Sequence, residues 1–172
     1  MASWWNGRHK GLKILALWEC RFESGRGYHN IFIIRLIMFS FITIGTNDLF
    51  KSSKFYDELL KPLGIVKVVI EDRYIGYAKK NNLALIDQGK LEFIEFYLMK
   101  PHNQKIATNG NGTMIVFDAK TAEKVNVFHQ IALNNGGTNE GLPGPRHGEN
   151  CYAYIRDIDG NKICAFASTS AI

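Results

Sequence analysis

Cysteine is scarce in this sequence, and its spacing fits neither a disulfide framework nor a metal site. The 172 residues contain three cysteines, Cys20, Cys151 and Cys164. Their number is odd, and no two of them have the short spacing of metal-ligating pairs. We therefore expect reduced thiols in a cytoplasmic protein.

A long uninterrupted apolar run is also missing. The most apolar stretch, IFIIRLIMFSFITI, is interrupted by Arg35 and is shorter than the roughly 20 apolar residues of a membrane span. A secretory signal peptide would need an unbroken apolar core followed by a small-residue cleavage site. Both patterns argue against a membrane anchor, so we expect no membrane partner.

Net charge is small outside the N-terminal 37 residues. The whole chain has a formal charge of +5, and the six basic and two acidic residues before Met38 supply +4 of it. The remainder is almost neutral, so we expect no nucleic-acid partner. Residues 1–37 also show no amphipathic period. We predict that they form an extension outside the fold and that the folded domain covers residues 38–170.

Regular secondary-structure patterns begin at Met38. MFSFITIG is rich in β-branched and aromatic residues and predicts a strand. Asn47 or Asp48 can cap the helix predicted for LFKSSKFYDELLKPLG, which ends at Pro62 and Gly64. IVKVVIED and RYIGYAKK predict two further strands, and LALIDQ with KLEFIEFYLM predicts one or two more.

A second series of predicted strands and a helix follows the polar loop at 101–112. TMIVFDA predicts a strand, and KTAEKVNVFHQIALNNGG predicts a helix with Val125, Phe128 and Ala132 on its buried side. TNEGLPGPRHGEN is interpreted as a long loop because it is rich in glycine and proline. CYAYIRD and NKICAF predict a hairpin about the turn at Asp157–Asn161.

The two series form an internal repeat. Ile44 and Phe117 lie 73 residues apart, and the same interval separates Phe55 from Phe128 and Gly64 from Gly137. This period is too long for a solenoid unit. It predicts two copies of a strand–helix–strand–strand–strand module that share one core.

The repeat resembles the vicinal oxygen chelate superfamily, which includes glyoxalases, bleomycin resistance proteins and ring-cleaving dioxygenases. The matching segments are FITIGTNDLFKSSKFYDELLKPLG, GNGTMIVFDAKTAEKVNVFHQIALNNGG, GLPGPR and YIRDIDGNKI. The resemblance implies an α+β fold in which two βαβββ modules, at about 38–101 and 112–168, form a shared cup-shaped curved sheet. It also implies a homodimer, although modules pair within or between chains in different relatives.

In metal-dependent members of that superfamily, histidine and glutamate side chains hold a divalent ion in the cup. The first-strand histidines correspond to Phe41 and Met114 here, and the closing glutamate corresponds to Cys164. The fourth position matches Glu95, within about two residues. Phenylalanine cannot ligate a metal, and methionine is a poor ligand for hard cations. We therefore expect no metal ion and no other cofactor.

The predicted cup would have an aromatic and apolar lining. Its candidate residues are Phe41, Glu95, Tyr97, Met114, Arg146, Tyr152 or Tyr154, and Cys164. Such a lining suits a planar or amphipathic small molecule, and it equally suits a collapsed core. Arg146 could bind an acidic group or could belong to a segment that only shapes a connection.

Two classes of function remain open from the sequence. The first is metal-free binding of a small molecule, as in bleomycin resistance proteins. The alternative is a metal-dependent lyase or dioxygenase of the same superfamily with substituted ligands. Glyoxalase activity is not expected, no catalytic residue is identified, and a module with only protein partners is a weaker third possibility.

Overall fold

The structure is a computed structural model that describes residues 39–146 and 148–169. These residues belong to one compact unit, Ile37–Ile172. Our predictions for residues 1–37 and for Cys20 concern residues outside the described part. Among the described helices, none combines the length and apolar character that crossing a bilayer requires.

The first module contains four strands and two α-helices. Its elements are β1 (Ile42–Gly45), α1 (Leu49–Leu60), β2 (Ile65–Ile70), β3 (Tyr74–Lys79), α2 (Leu83–Ile86) and β4 (Phe96–Met99). The strands form one sheet in the order β1-β4-β3-β2. β1 is parallel to β4, whereas the other neighbours are antiparallel.

The second module repeats this topology. Its elements are β5 (Ile115–Asp118), α3 (Ala122–Asn134), β6 (Thr138–Pro145), β7 (Cys151–Arg156) and β8 (Lys162–Ala167). The sheet order is β5-β8-β7-β6, again with one parallel pair at the β5 edge. The α+β class and the two βαβββ modules are therefore confirmed.

Both long helices begin at side chains that satisfy their first backbone amides. Asp48 Oδ1 accepts hydrogen bonds from the amides of Phe50 and Lys51 at 3.1 and 3.0 Å, and Thr121 Oγ1 accepts one from the amide of Lys124 at 3.2 Å. Such caps typically stabilise a helix by about 1 kcal/mol. A 3₁₀ turn follows α1 and ends at Gly64, whose φ of 70° favours glycine.

LALIDQ is not a strand, so LALIDQ and KLEFIEFYLM together supply one strand, β4, of the one or two predicted. Leu83–Ile86 form the short helix α2, and a 3₁₀ turn at Leu91–Phe93 precedes β4. The run has no alternation of apolar and polar residues, and a short apolar run without it fits a helix or a strand equally well. Leu83, Leu85 and Ile86 are half-buried where the chain crosses from β3 to β4.

TNEGLPGPRHGEN is not a simple loop either. Thr138–Pro145 form β6, which pairs with β7 through a register broken on both sides of Gly141. Proline is tolerated because β6 is an edge strand with one face of its backbone unpaired. The backbone at Gly141 packs closely against the Tyr154 ring, and a Cβ at position 141 would lie only 2.8 Å from Cδ2 of Tyr154.

The helix-covered faces of the two sheets share one hydrophobic core. α1 contacts α3, and the rings of Phe96 and Phe117 meet edge to face with centroids 5.3 Å apart. The core includes buried side chains from both modules, such as Leu98 and Ile155. The opposite face of each sheet carries partly exposed side chains, and we call these the open faces.

The turn after β7 joins the second module to the first. Asp157 accepts a hydrogen bond from the Tyr56 hydroxyl at 2.7 Å, and Asp159 accepts one from the Ser52 hydroxyl at 2.8 Å. Asn161 donates to the carbonyl of Gly45 at 3.2 Å. The Asp-x-Asp-Gly-Asn sequence is therefore a contact between modules as well as a tight turn.

Candidate functional site

The open face of the first sheet carries an aromatic cluster around Tyr97. Its ring meets Phe41 with centroids 5.5 Å apart and Tyr74 with centroids 5.9 Å apart. These three residues, with Thr43 and Met99, line a shallow cavity of about 220 Å³. Burial and the neighbouring Tyr74 raise the pKa of Tyr97, so its phenol is neutral at pH 7.

Glycine is required beneath that cluster. Gly76 lies beside Tyr97 in the register of β3 and β4, and a Cβ at position 76 would approach Cε1 of Tyr97 to 2.9 Å. The Tyr97 ring can therefore lie against the strand only because residue 76 has no side chain.

The open face of the second sheet carries a larger aromatic surface. The rings of Tyr152 and Tyr154 are stacked, with centroids 6.2 Å apart and planes within 6°. Phe166 packs against Tyr152 at a centroid distance of 5.0 Å. We call Tyr152, Tyr154 and Phe166 the aromatic platform. Lys162 lies over the Tyr154 ring, with Nζ 5.5 Å from its centroid.

Cys164 lies within this surface, opposite Tyr154 in the register of β7 and β8. Its side chain is fully buried, and Sγ donates a weak hydrogen bond to the carbonyl of Ala165 at 3.3 Å. Burial raises the pKa of the Cys164 thiol to about 11. The group is therefore a neutral thiol at pH 7, and the thiolate is the form that reacts or ligates.

Arg146 lies close enough to Tyr154 for its charge to affect the pKa of the Tyr154 phenol. Burial and Cys164 raise the pKa of Tyr154, whereas the charge of Arg146 acts in the opposite direction. The guanidinium donates to the carbonyls of Pro145 and Leu142 at 2.7 and 3.5 Å. Three predicted residues of the second module, Arg146, Tyr154 and Cys164, are thus together on one surface.

An ion-pair network that sequence reasoning missed borders the platform. Glu140 lies 2.6 Å from Nε of Arg156 and 3.1 Å from Nζ of Lys162. Hydrogen bonds from these two cations hold the pKa of Glu140 below its usual value. Glu140 was missed because its segment was predicted to be a loop, and residues of a loop have no predictable facing neighbours.

The predicted site residues divide into separate groups within one chain. Phe41 and Tyr97 line the cavity on the first open face, and Glu95 lines a different cavity between the modules. Neither of those cavities includes Met114, Arg146, Tyr154 or Cys164. Met114 immediately precedes β5 and is 41% exposed. The predicted site residues therefore lie on separate surfaces of one chain.

The side chains at the expected metal positions do not fit a divalent ion. Phe41 has no donor atom, Met114 offers only a thioether, and the Cys164 thiol is protonated and buried. Within the described residues, no three histidine, cysteine, aspartate or glutamate side chains are grouped so as to hold a metal. A hard cation requires oxygen or imidazole donors, which these three positions lack.

Comparisons with solved structures identify relatives of this fold, whereas protein-family models and curated proteins give no significant match. A glyoxalase/bleomycin resistance protein from Albidiferax ferrireducens T118 is 38% identical with a TM-score of 0.66, and the match covers 77% of this chain and 99% of that one.

More distant structures share the fold. A glyoxalase/bleomycin resistance protein/dioxygenase family enzyme from Burkholderia phytofirmans PsJN is 18% identical, covers 74% of this chain and 96% of its own, and has a TM-score of 0.56. The fosfomycin resistance protein FosX from Listeria monocytogenes is 16% identical and has a TM-score of 0.55. The match covers 79% of this chain and 97% of FosX.

The Albidiferax relative is matched over nearly its whole length at an identity well above that of a shared fold alone. The repeat, the paired βαβββ modules and the sheet order agree with that relationship. The chain belongs to the glyoxalase/bleomycin resistance protein family of the vicinal oxygen chelate superfamily.

Proposed function

We propose that this protein binds a planar, largely apolar small molecule without a metal ion. The observation that carries the proposal is the aromatic platform, which surrounds Cys164 where metal-dependent relatives would carry a ligating glutamate. Stacked Tyr152 and Tyr154 offer ring faces and edges to a flat ligand. Each aromatic contact of this kind is worth about 0.5–1.5 kcal/mol beyond the area that it buries.

The polar groups around the platform suit a ligand with one acidic substituent. The ammonium of Lys162 and the guanidinium of Arg156 already share Glu140. The Arg146 guanidinium bonds only backbone carbonyls within the described residues. Arg146 can therefore exchange these bonds to backbone carbonyls for a bidentate pair with a carboxylate.

The same proposal includes a homodimer that completes the cup. The helix-covered faces are already joined inside the chain, whereas Phe41 and Val116 on the open faces are 58% and 47% exposed. A second copy would set the first-module open face of one chain opposite the second-module open face of the other. This would cover apolar side chains on two sheets at once.

Reduced thiols fit the cytoplasmic location that we propose. Cys151 and Cys164 are both free and buried. They lie on opposite faces of the second sheet, as the registers Cys151–Ala167 and Tyr154–Cys164 show. Neither thiol therefore depends on an oxidising compartment for its place in the fold.

Binding of 1-naphthol to the full chain, measured by isothermal titration calorimetry, tests the ligand class. We expect saturable binding that weakens roughly 2- to 12-fold in Tyr154→Leu, the equivalent of one aromatic contact. Phe50→Leu is the control because Phe50 is exposed on α1, away from the platform. Equal affinity in all three proteins would contradict the proposal.

Metal content decides between binding protein and metal-dependent enzyme. We expect elemental analysis of the purified chain to show less than stoichiometric Ni, Zn, Mn and Fe, and naphthol binding to survive EDTA. One bound ion per chain, lost together with ligand binding on chelation, would instead support the lyase or dioxygenase alternative.

A further inference from the structure

A cavity of about 340 Å³ lies at the junction of the two modules. Its apolar walls include Ile42, Ile65 and Phe96 from the first module and Ile115 and Phe117 from the second. We call it the junction cavity. It overlaps the predicted cup only at Glu95 and the open-face residue Val116, because Phe96, Ile115 and Phe117 belong to the side of the sheets that forms the shared core.

Its polar lining is mainly cationic. Lys79, Lys120 and Lys124 line the cavity together with the carboxylates of Asp118 and Glu95. Lys120 Nζ lies 2.5 Å from Asp118 Oδ2. Burial alone would raise the pKa of Asp118, but hydrogen bonds from Lys120 and the charges of Lys120 and Lys79 lower it. Lys79 of the first module therefore acts on a carboxylate of the second.

Two of these ammonium groups lack a close counter-ion among the described residues. Within residues 39–146 and 148–169, no carboxylate lies within 4.0 Å of Nζ of Lys79 or Lys124. Three ammonium groups face two carboxylates, so the lining has a formal charge of +1. An occupant with one negative charge would neutralise it.

Lys124 is placed where helix electrostatics does not favour a cation. It is half-buried in the first turn of α3, three residues after the cap Thr121. The helix dipole disfavours positive charge at this end. The position of Lys124 is therefore not explained by helix stability, whereas an anion beside it would interact favourably with both the ammonium and the helix end.

The volume limits the size of the occupant. At about 30 Å³ for a water-sized group, 340 Å³ accommodates roughly 11 such groups. Methylene groups are of similar size, so the interior suits an apolar body of about ten carbon atoms. Ligand sites commonly occupy junctions of this kind and sizes from about 300 Å³ upward.

We propose that the junction cavity is a second binding site, which takes an amphipathic monocarboxylate with an apolar body of about ten carbons. The apolar body lies against Ile42, Phe96 and Ile115, and the carboxylate lies beside Lys79 and Lys124. A dianion such as a phosphate monoester is disfavoured because Asp118 and Glu95 line the same cavity. A neutral chain would form no ion pair with the two ammonium groups, of which Lys79 is exposed and Lys124 half-buried.

Calorimetric titration of the full chain with decanoate, below its micellar concentration, tests this site. We expect one decanoate per chain and at least tenfold weaker binding of decan-1-ol, which has the same chain without the charge. The double variant Lys79→Met/Lys124→Met should weaken decanoate binding at least tenfold and leave decan-1-ol unchanged. Lys54→Met is the matched control because Lys54 lies over Phe50 on α1, outside the cavity.

A cavity-filling variant locates the ligand. Ala78 is buried and lines the cavity, so Ala78→Leu should abolish decanoate binding, whereas Tyr154→Leu on the platform should not change it. If circular dichroism shows that Ala78→Leu is unfolded, the lysine variant alone decides. No decanoate binding, equal affinity for decan-1-ol, or unchanged affinity in the lysine variant would each overturn the proposal.

Discussion

Tyr56 of α1 donates a hydrogen bond of 2.7 Å to Asp157, a residue 101 positions later in the chain. Both side chains are buried. The backbone amides of Asp159 and Asn161 also donate to Asp157, at 3.0 and 2.8 Å. The carboxylate therefore organises its own turn and fixes that turn to the helix of the other module.

Removing the Tyr56 hydroxyl should weaken the fold more than an ordinary surface change. A buried hydrogen bond to a charged group contributes about 1.5–3 kcal/mol, so we expect Tyr56→Phe to lose that amount in urea unfolding. Tyr74→Phe is the control, because its hydroxyl has no hydrogen-bond partner among the described residues. Equal losses in the two variants would show that the bond is not stabilising.

Titration of Asp157 should make stability depend on pH. Burial raises the pKa of Asp157 above 3.8, although hydrogen bonds from Asn161 and Tyr56 oppose the shift. Because the folded pKa is raised, the protonated group stabilises the fold at low pH. That contribution is lost as pH rises from 3.8 through the folded pKa.

The measurement is the free energy of unfolding of the native chain minus that of Asp157→Asn, followed from pH 3.5 to 7. We expect this difference to fall as pH rises and then to level off. A difference that increases with pH would mean that the folded pKa lies below the unfolded one.

Cys164 should react slowly with thiol reagents in the folded protein. With a pKa of about 11, only ~1 thiol in 3,000 is ionised at pH 7.5, and the thiolate is the reactive form. In a Cys20→Ser/Cys151→Ser background, we expect labelling by a disulfide reagent to accelerate about tenfold per pH unit up to pH 9. Complete labelling within seconds at pH 7.5 without denaturant would contradict this.

Gly76→Ala should displace the Tyr97 ring. The added methyl would lie 2.9 Å from Cγ2 of Ile94 and 2.9 Å from Cε1 of Tyr97. Overpacking of this kind costs about 1–3 kcal/mol, which thermal and urea unfolding would detect. At the control position Gly144, the nearest atom is 3.4 Å away at the end of the Arg146 side chain, so Gly144→Ala should cost less. A similar loss in both variants would contradict the steric argument.

Elements with a strong local pattern could be predicted from the sequence. The helix positions Phe55 and Phe128 were recognised by their spacing, and both are buried as expected. The Asp157–Asn161 turn was recognised by its residues. Its contact with Tyr56 was not predicted, because no local pattern records which distant side chain meets a turn.

The segments predicted wrongly depend on tertiary neighbours. Gly141 and Pro143 favour a loop by propensity, yet β6 forms because β7 supplies a partner for its backbone. Tyr97 was placed on the same side as Glu95 by strand alternation, whereas Phe41 was placed in the cup by the resemblance and Tyr154 was one of two alternatives for its lining. The separation of these residues onto two surfaces of one chain could not be predicted, because it depends on how the two helices pack between modules.

The parallel pairing of the first strand has a consequence during synthesis. Ile42 of β1 pairs with Phe96 of β4, 54 residues later, and β4 is its hydrogen-bonding neighbour in the described sheet. At about 5–20 residues per second, translation separates the two strands by roughly 3–11 s. For that interval β1 has no native strand to pair with, although Phe41 and Ile42 have already been synthesised. The time for which this apolar segment lacks its native partner is therefore determined by the elongation rate.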